Sequence, residues 1–476
     1  MKKVKYFCFF IFILFNYSEG NKTLISNKYF NIIPNISEKQ KYSHIKNDNL
    51  YFIFSIFRHG VRSPMDKELK NGKDLLGGIW NQKAELSSTG RKQHYLIGAK
   101  NKLRYSDFIN KEYDPKEVLI YSTNTNRTIS SAQSQLLGLY NGYLYSNKSN
   151  LDININESEI NLNSIIPPIK LFHKRDYHEN ILFKGSKSEF ETTLQYSKFC
   201  PPMKELIEKN VEIFENNLEV DGFIYDFNNK YRDVLKKQYN IDDFSNKKEF
   251  KGFCDAYISD YFDEKNKKVL ELFNKEGFNI TELLYECYYY HGYYLFEIDG
   301  NGYAKNNSIL SMSILMKKII DIMKKRIEKD HNYINYDYPK YILISSHDTS
   351  LAMIQLFFKN IFNIDLDYPY LASNFVIELR EYNDKFYIES YLNDYLKFNV
   401  SFEMFEKKVL HISYDEKYII NYCLGIKENS IESIDLLLLI LIIIFVILFL
   451  LFLFLCSKNY NNIKQNNSNP NISSTK

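Results

Sequence analysis

Two arginines and a histidine lie in the short segment 51–64, which reads YFIFSIFRHGVRSP. The planar guanidinium groups of Arg58 and Arg62 match the oxygens of a phosphate or a carboxylate. Between them, the imidazole of His59 can act as a nucleophile or carry a proton. Gly60 would let the backbone approach a tetrahedral anion, and Pro64 would end the extended run. These residue types indicate an anion site that contains a nucleophile, whereas a histidine alone would be read as part of a basic surface loop.

Apolar runs predict the elements that position these residues. Residues 51–57 form an almost unbroken apolar run rich in aromatic and β-branched residues, the pattern of a strand buried on both faces of a parallel sheet. Ligands of open α/β sheets bind at the carboxyl edge, where Arg58 and His59 would emerge. The runs 118–122 and 341–346, VLIYS and YILISS, predict two more buried strands. We therefore expect an α/β fold with a doubly wound, mostly parallel sheet.

The pattern R-H-G-x-R-x-P is similar to the signature of the histidine acid phosphatases. This is the branch of the histidine phosphatase superfamily that includes prostatic and lysosomal acid phosphatases and phytases. The resemblance implies a third arginine and a His-Asp dipeptide, each after a further strand, and the chain has Arg127, His347 and Asp348 at such positions. A helix predicted to begin at about residue 128 would favour an anion beside Arg127. An exposed arginine without a partner is the alternative interpretation of this residue.

The segment 85–105, ELSSTGRKQHYLIGAKNKLRY, carries a second resemblance to the family and predicts a helix. The matching residues are Leu86, Gly90, Gln93, His94, Gly98, Arg104 and Tyr105. Three positions depart from the family, most of whose members have an arginine and two aspartates in place of Tyr121, Asn124 and Asn126. These departures bear on the rate and the detail of the pocket, not on the class of reaction.

The resemblance implies a role for each predicted site residue. His59 would attack phosphorus and form a phosphohistidine, while Asp348 would protonate the leaving oxygen and later activate water. Asp348 would have to start protonated, which favours acid solution. The residues that would clamp the phosphoryl group are Arg58, Arg62, Arg127 and His347. No metal and no cofactor are expected, because these cationic and donor groups would replace a metal.

Both ends of the chain predict targeting segments. Lysines, an apolar run and small residues predict a signal peptide over residues 1–20, with a short buried helix as the alternative. Within 435–456, an unbroken apolar run would span ~31 Å as a helix, the hydrocarbon thickness of a bilayer. Acidic residues precede it and lysines follow it, so 457–476 is predicted to be a cytosolic tail. The prediction is a single-pass type I membrane protein with its catalytic part in the secretory lumen, in a lysosome-like compartment or at the cell surface.

The predicted histidine phosphatase domain is discontinuous, over residues 49–140 and 335–425. Between them, residues 141–334 are predicted to form a largely helical insertion that covers the carboxyl edge of the sheet. Its amphipathic runs at 203–218 and 309–326 have apolar residues three and four apart.

Two further segments have local interpretations. The tyrosine cluster at 285–294 predicts core or pocket wall rather than a binding motif. After the His-Asp dipeptide, 349–362 predicts a helix, and 375–380 with 385–391 predicts a strand pair.

Composition and cysteine count limit the remaining possibilities. The 61 Lys and Arg residues nearly balance the 58 Asp and Glu residues, so no nucleic-acid partner is expected. Four cysteines lie outside the two targeting segments and allow three pairings: Cys200, Cys254, Cys287 and Cys423. A family disulfide from the Cys-Pro at 200 is in doubt, since its partner position is Asn374. Sequons such as those at Asn35 and Asn279 predict a glycoprotein.

The predicted function is hydrolysis of phosphate monoesters by a membrane-anchored acid phosphatase through a phosphohistidine. Two alternatives stay open. One is a membrane receptor or adhesion protein on a phosphatase fold with weakened catalysis, favoured by the changes at Asn124 and Asn126. The other is a phytase or phospholipid phosphatase, which differs only in the leaving group. A homodimer is compatible with all of these.

Overall fold

The computed structural model describes residues 49–65, 83–141, 167, 169–172, 200–216, 218–236, 241–245, 247–263, 279–298, 304–328, 338–425 and 441–455. The predicted signal peptide at 1–20 and the predicted cytosolic tail at 457–476 lie outside the described residues. Residues up to Glu416 belong to one compact unit, and residues from Lys417 belong to a second.

Seven strands in the described part of the chain form one sheet. They are β1 (Leu50–Arg58), β2 (Val118–Thr123), β3 (Lys170–Phe172), β4 (Tyr341–Ser346), β5 (Asn374–Tyr382), β6 (Lys385–Leu392) and β7 (Tyr395–Ser401), in the spatial order β3-β2-β4-β1-β5-β6-β7. The first four in this order run parallel, and β1, β5, β6 and β7 pair antiparallel. The predicted α/β class is confirmed, but the sheet is mixed rather than mostly parallel.

Two tight turns account for the antiparallel half of the sheet. Asn383 and Asp384 join β5 to β6 with φ of 51° and 60°, and Asn393 and Asp394 join β6 to β7 with φ of 49° and 69°. Such pairs of left-handed residues form two-residue hairpins, which connect only antiparallel neighbours. The sequence pattern predicts the first hairpin and misses β7.

Ten helices are described before residue 425. They are α1 (Ser88–Arg104), α2 (Asn126–Asn141), α3 (Pro201–Glu215), α4 (Leu218–Val234), α5 (Lys247–Phe262), α6 (Ile280–Tyr293), α7 (Ala304–Glu328), α8 (Asp348–Phe362), α9 (Phe402–Ile412) and α10 (Glu416–Cys423). A π-helical turn, Tyr294–Ile298, continues α6. Helices α1, α2, α3, α7 and α8 confirm predicted helices within a few residues, whereas α9 has no counterpart among the predictions.

Strand β1 is buried on both faces, as predicted. Phe52, Phe54 and Ile56 pack in a cluster with buried residues of α7, α8 and α9. On the other face, Ile53 and Phe57 pack with buried residues of α2. Each such side chain contributes about 1.5–3 kcal/mol when it is fully buried. Helices therefore cover both faces of the sheet and leave the strand ends for the site.

The backbones of α1 and α2 touch at two glycines. A Cβ added to Gly98 would lie 1.9 Å from the carbonyl oxygen of Gln135, and one added to Gly138 would lie 2.0 Å from that of Tyr95. No other residue fits at either position without moving a backbone. This contact holds the second half of α2 against α1, and the same helix carries Arg127 in its first turn.

The helices α4, α5 and α6 share an aromatic core that reaches the signature segment. The cluster contains Phe250 and Phe253 of α5 and Tyr288 and Tyr290 of α6, together with Val61. Tyr288 and Tyr290 thus confirm the prediction that the tyrosine cluster is largely core. The domain boundaries at 49–140, 141–334 and 335–425 stay a prediction.

The four cysteines outside the targeting segments have two different states. Cys200 and Cys423 each take part in a disulfide. Cys254 on α5 and Cys287 on α6 are free and buried. The sequence alone leaves the pairing open, and Cys8 and Cys456 lie outside the described residues.

Residues 441–455 are helical, and their apolar side chains are exposed. They form the middle of the predicted transmembrane segment 435–456, whose two ends lie outside the described residues. Within the described ranges, no helix has both the length and the apolar character needed to cross a membrane.

Candidate active site

Three parallel strands end side by side at one edge of the sheet. Arg58 at the end of β1 pairs in register with Ser346 at the end of β4, and Ser345 pairs with Ser122 of β2. The segments that follow these strands therefore meet. They bring together all six predicted site residues, Arg58, His59, Arg62, Arg127, His347 and Asp348.

His59 is buried directly after β1, with 2% of its surface exposed. Its Nδ1–H donates to the carbonyl of Gly60 at 2.9 Å, which leaves the lone pair on Nε2. Burial and the charges of Arg62 and Arg58 hold the pKa of His59 well below its usual range. The imidazole is therefore neutral in acid solution and has an unprotonated nitrogen.

Arg58 joins β1 to the segment after β4. Its Nη2 lies 2.8 Å from Oδ2 of Asp348, and its Nη1 donates to the carbonyl of Pro369 at 2.8 Å. The ring of Tyr368 lies under the guanidinium, 5.9 Å from its carbon to the ring centroid. Burial disfavours the carboxylate, but Arg58 and His347 outweigh it and hold the pKa of Asp348 well below its usual range.

Arg62 is bound end-on by a carboxylate that the sequence analysis does not identify. Asp255 on α5 accepts from Nη2 at 2.7 Å and from Nη1 at 3.1 Å. A second oxygen near Nη1 is the carbonyl of Ser63, at 2.9 Å. Asp255 thus links α5 to the segment 58–65.

His347 lies between Arg127 and the end of β2. Nη2 of Arg127 lies 3.4 Å from Nδ1 of His347, and Oγ1 of Thr123 lies 3.0 Å from Nε2. Since an arginine can only donate, Nδ1 accepts and Nε2–H donates to Thr123. In this state His347 orients Arg127. Its predicted donation to a phosphate needs a proton on Nδ1 and stays a prediction.

The three arginines share an unusual feature. In the part of the chain that is described, the Nε atoms of Arg58, Arg62 and Arg127 are buried and have no hydrogen-bond partner. An unsatisfied buried donor costs about 1–3 kcal/mol. Burial and repulsion from Arg62 and Arg58 also lower the pKa of Arg127 to about 10. An oxyanion with several acceptor oxygens would relieve both the unsatisfied donors and the repulsion.

Gly60 has a different role from the predicted one. A Cβ at this position would lie 2.6 Å from the carbonyl oxygen of Gly90 on α1. The N–H of Val61 donates to Oε1 of Gln93 at 3.0 Å, and that of Gly60 donates to Oγ of Ser131 at 3.2 Å. The glycine therefore permits close contact with α1 rather than with an anion, and α1 and α2 hold the loop.

Three residues at the site are absent from the sequence prediction: Asp255, Thr123 and Tyr368. Thr123 directly follows the predicted strand 118–122, and this position is the signal that could have identified it. Asp255 lies within α5, and Tyr368 lies in the segment between α8 and β5. Neither has a motif, so only the tertiary fold places them here.

The fold and the site define an α/β protein with a cationic pocket and a buried neutral histidine at the carboxyl edge of its parallel strands. The family model described as histidine phosphatase superfamily (branch 2) matches residues 49–393. The chain belongs to this superfamily, and the resemblance seen in the sequence is confirmed.

Individual relatives differ in how much of the chain they match. Lysosomal acid phosphatase of Xenopus laevis is 35% identical over 92 residues, 19% of this chain and 21% of that protein. Prostatic acid phosphatase of Homo sapiens is 25% identical over 351 residues, 72% of this chain and 77% of that protein. The chain thus matches about a fifth of the length of the first relative and about three quarters of the second. Among solved structures, a phytase from Citrobacter braakii is 11% identical with a TM-score of 0.47 and covers 77% of this chain and 99% of its own.

Proposed function

We propose that the chain is a histidine acid phosphatase, a phosphoric monoester hydrolase that forms a phosphohistidine on His59. The observation that carries the proposal is the state of His59. It is a buried, neutral imidazole with its lone pair on Nε2, in the field of three guanidinium groups. Membership of the superfamily and the acid phosphatase relatives support the same activity.

Phosphate binding is assigned to the three arginines. Each has an unsatisfied Nε–H, and each holds its terminal nitrogens on protein groups, so the guanidinium planes are fixed before the substrate arrives. Fixed donors aimed at a phosphoryl group stabilise the charge that develops in the transition state without reorganisation. His347 positions Arg127 in this clamp and is the fourth proposed phosphate ligand.

The chemistry proceeds in two displacements. Nε2 of His59 attacks phosphorus, the P–N bond forms as the bond to the leaving oxygen breaks, and that oxygen takes a proton that the Asp348 carboxylate has accepted from the monoanionic substrate. In the second step Asp348 takes a proton from water, the water oxygen attacks phosphorus, and the P–N bond breaks. Inorganic phosphate takes this proton from Asp348 and leaves, so Asp348 is a carboxylate and His59 is neutral again.

Attachment to a membrane is part of the proposal. The 21 residues 436–456 are apolar without interruption, and the apolar side chains of the helical residues 441–455 are exposed. Such a helix avoids water by inserting into a bilayer. Together with the predicted signal peptide at 1–20, this supports a type I protein whose phosphatase domain lies in the lumen of the secretory or lysosomal system or outside the cell.

Trapping of the intermediate tests the proposed activity. Purified protein is mixed with a ³²P-labelled monoester and quenched in alkali, because the P–N bond of phosphohistidine hydrolyses in acid. Peptide mapping should find the label on His59. His59→Ala should lose nearly all turnover, whereas His411→Ala, a change at an exposed histidine of α9, should keep it.

Two results would contradict the proposal. Label on a serine would show that this serine, and not His59, is the nucleophile. A folded wild-type protein without turnover would favour the receptor interpretation over the phosphatase.

A further inference from the structure

Asp255 contacts Arg62, one of the three proposed phosphate-binding arginines, from a helix outside the sheet. Its side chain is 16% exposed and that of Arg62 is 6% exposed, so water scarcely reaches their ion pair. Oδ2 of Asp255 also accepts from the backbone N–H of Met65 at 2.9 Å. The carboxylate is therefore held by two parts of the signature segment at once.

The donors of Arg62 can be counted one by one. A guanidinium has five N–H bonds, one on Nε and two on each Nη. The two on Nη1 serve Ser63 and Asp255, and one on Nη2 serves Asp255. Among the described residues, Nε has no partner. Nε–H and the second Nη2–H lie on the same edge of the guanidinium and form a fork that fits two phosphate oxygens.

We infer that Asp255 is a positioning residue that turns the guanidinium of Arg62 so that its Nε–Nη2 edge faces the phosphoryl group. The inference rests on the proposed function and adds a residue of the helical insertion to the phosphate clamp. Without Asp255, the long side chain of Arg62 could rotate and offer its other edges.

The ion pair persists in acid solution. Burial disfavours the charged carboxylate, but the charge of Arg62, its hydrogen bonds and the N–H of Met65 outweigh burial and hold the pKa of Asp255 below its usual range. Asp255 is therefore ionised wherever an acid phosphatase works, and the orientation of Arg62 does not change over the working pH range.

Loss of positioning should appear in turnover more than in affinity. Removing the negative charge of Asp255 strengthens the attraction of the pocket for any anion. In the binding of inorganic phosphate, this gain offsets the affinity that is lost when the Arg62 side chain is no longer held in one orientation. The transition state needs the donors in one geometry, and small displacements cost up to about 100-fold in rate. We therefore expect Asp255→Asn to lower kcat at least tenfold and to change the inhibition constant of inorganic phosphate less than threefold.

A double-mutant cycle tests whether Asp255 acts through Arg62. Wild type, Asp255→Asn, Arg62→Ala and the double variant are assayed with 4-nitrophenyl phosphate and with glycerol phosphate. The expected result is that Asp255→Asn changes kcat less than twofold once Arg62 is absent, with both substrates. The matched control is Asp221→Asn on α4, a half-exposed carboxylate that pairs with Lys247 2.8 Å away, and it should keep wild-type kcat.

The other outcomes overturn the inference. An equal loss of kcat in both backgrounds shows that Asp255 does not act through Arg62, and a loss that depends on the leaving group places Asp255 on the substrate. Wild-type kcat in Asp255→Asn removes the role altogether. If Asp255→Asn lowers Tm more than Asp221→Asn does, Asp255→Ser replaces it in the same cycle. A wild type without turnover overturns the proposed function and the inference together, which distinguishes that result from failure of the inference alone.

Discussion

Arg58 and Asp348 form an ion pair in which Nη2 and Oδ2 are 2.8 Å apart. The pair joins the last residue of β1 to the first residue of α8, so the sheet register holds it in place. Arg58 and His347 keep the pKa of Asp348 well below its usual range although burial opposes ionisation. In the free enzyme, Asp348 is therefore a carboxylate at the pH values at which an ordinary aspartic acid is already ionised.

This state revises the expectation that Asp348 starts protonated. A carboxylate cannot donate a proton to a leaving oxygen. A phosphate monoester has a second pKa of about 6, so its monoanion carries one proton into the pocket. The three unsatisfied Nε donors would attract the phosphoryl oxygens of the substrate. Those oxygens would then compete with the Asp348 carboxylate for the hydrogen bonds of Arg58. Asp348 can then accept the proton from the substrate and pass it to the leaving oxygen.

The first prediction is that the substrate sets the alkaline limit of activity. If the monoanion delivers the proton, kcat/KM falls tenfold per pH unit above the second pKa of the substrate, which is about 6. The measurement compares two monoesters whose second pKa values differ by one unit. The alkaline limb should move by the same unit. If the alkaline limb lies at the same pH for both esters, the group that titrates belongs to the enzyme and not to the substrate.

The second prediction concerns Asp348 itself. Asp348→Asn removes the proton carrier, so kcat for glycerol phosphate, which has a poor leaving group, should fall by about 10²–10⁴-fold. A 4-nitrophenolate leaves without a proton, so phosphorylation of His59 should survive with that ester as a burst followed by slow turnover. Asp365→Asn is the control, because it alters an exposed carboxylate between α8 and β5. Equal losses with both esters, without a burst, would rule out the role of proton carrier.

The third prediction concerns Arg127. Arg127→Ala removes one guanidinium from the clamp and the neighbour of Nδ1 of His347. KM should rise and kcat should fall together, because the contact is made in the ground state and in the transition state. The loss in kcat/KM should correspond to about 1.5–3 kcal/mol, the value of a charged hydrogen bond. Arg91→Ala, at an exposed position of α1, should keep wild-type kinetics, and unaltered kinetics in Arg127→Ala would exclude this residue from the site.

The sequence predicts those parts of the site that follow buried strands. Apolar runs mark β1, β2 and β4, and Arg58, Arg127 and Asp348 stand directly after them or one turn later. A strand buried on both faces has no alternating pattern but a continuous one, which is easy to recognise.

The remaining parts depend on contacts between distant segments. Asp255 is 193 residues from its partner Arg62, and nothing in its helix distinguishes it from a solvent-exposed acid. The mixed sheet depends on whether two Asn-Asp turns adopt positive φ at both residues, which the pairing of β5, β6 and β7 decides. The cationic neighbours of Gly60 favour contact with an anion, and the contact with Gly90 becomes visible only after α1 packs on the loop.

The fourth prediction is a loss of stability in acid that a single histidine explains in part. His94 on α1 is fully buried and its Nδ1–H donates to Oε1 of Gln135 at 3.1 Å. Burial lowers the pKa of His94 to about 4, against about 6.5 in the unfolded chain. The unfolded state therefore binds a proton between these values and the folded state does not. Stability is complete above about pH 6.5 and falls by roughly 2–3 kcal/mol as the pH drops towards 4.

Urea unfolding at pH 7 and pH 4.5 measures this contribution. His94→Gln keeps a donor for Gln135 and removes the titration, so its free energy of unfolding should fall less between the two pH values than that of wild type. An identical fall in both proteins would show that His94 does not titrate between the folded and unfolded states.

The fifth prediction compares two helical glycines. Gly98→Ala places a Cβ 1.9 Å from the carbonyl oxygen of Gln135, so α1 and α2 must separate. Overpacking of this kind costs about 1–3 kcal/mol, and here the neighbour is backbone and cannot rotate away. Gly252→Ala on α5 has no atom within 4 Å of the new Cβ and should stabilise the protein by about 0.5–1 kcal/mol through helix propensity. Thermal unfolding should therefore give shifts of opposite sign.

Because α2 carries Arg127 at its first turn, Gly98→Ala should also raise KM, whereas Gly252→Ala should leave it unchanged. Shifts of the same sign would mean that the two helices have room to adjust, and the close α1–α2 contact would then not be what fixes Arg127.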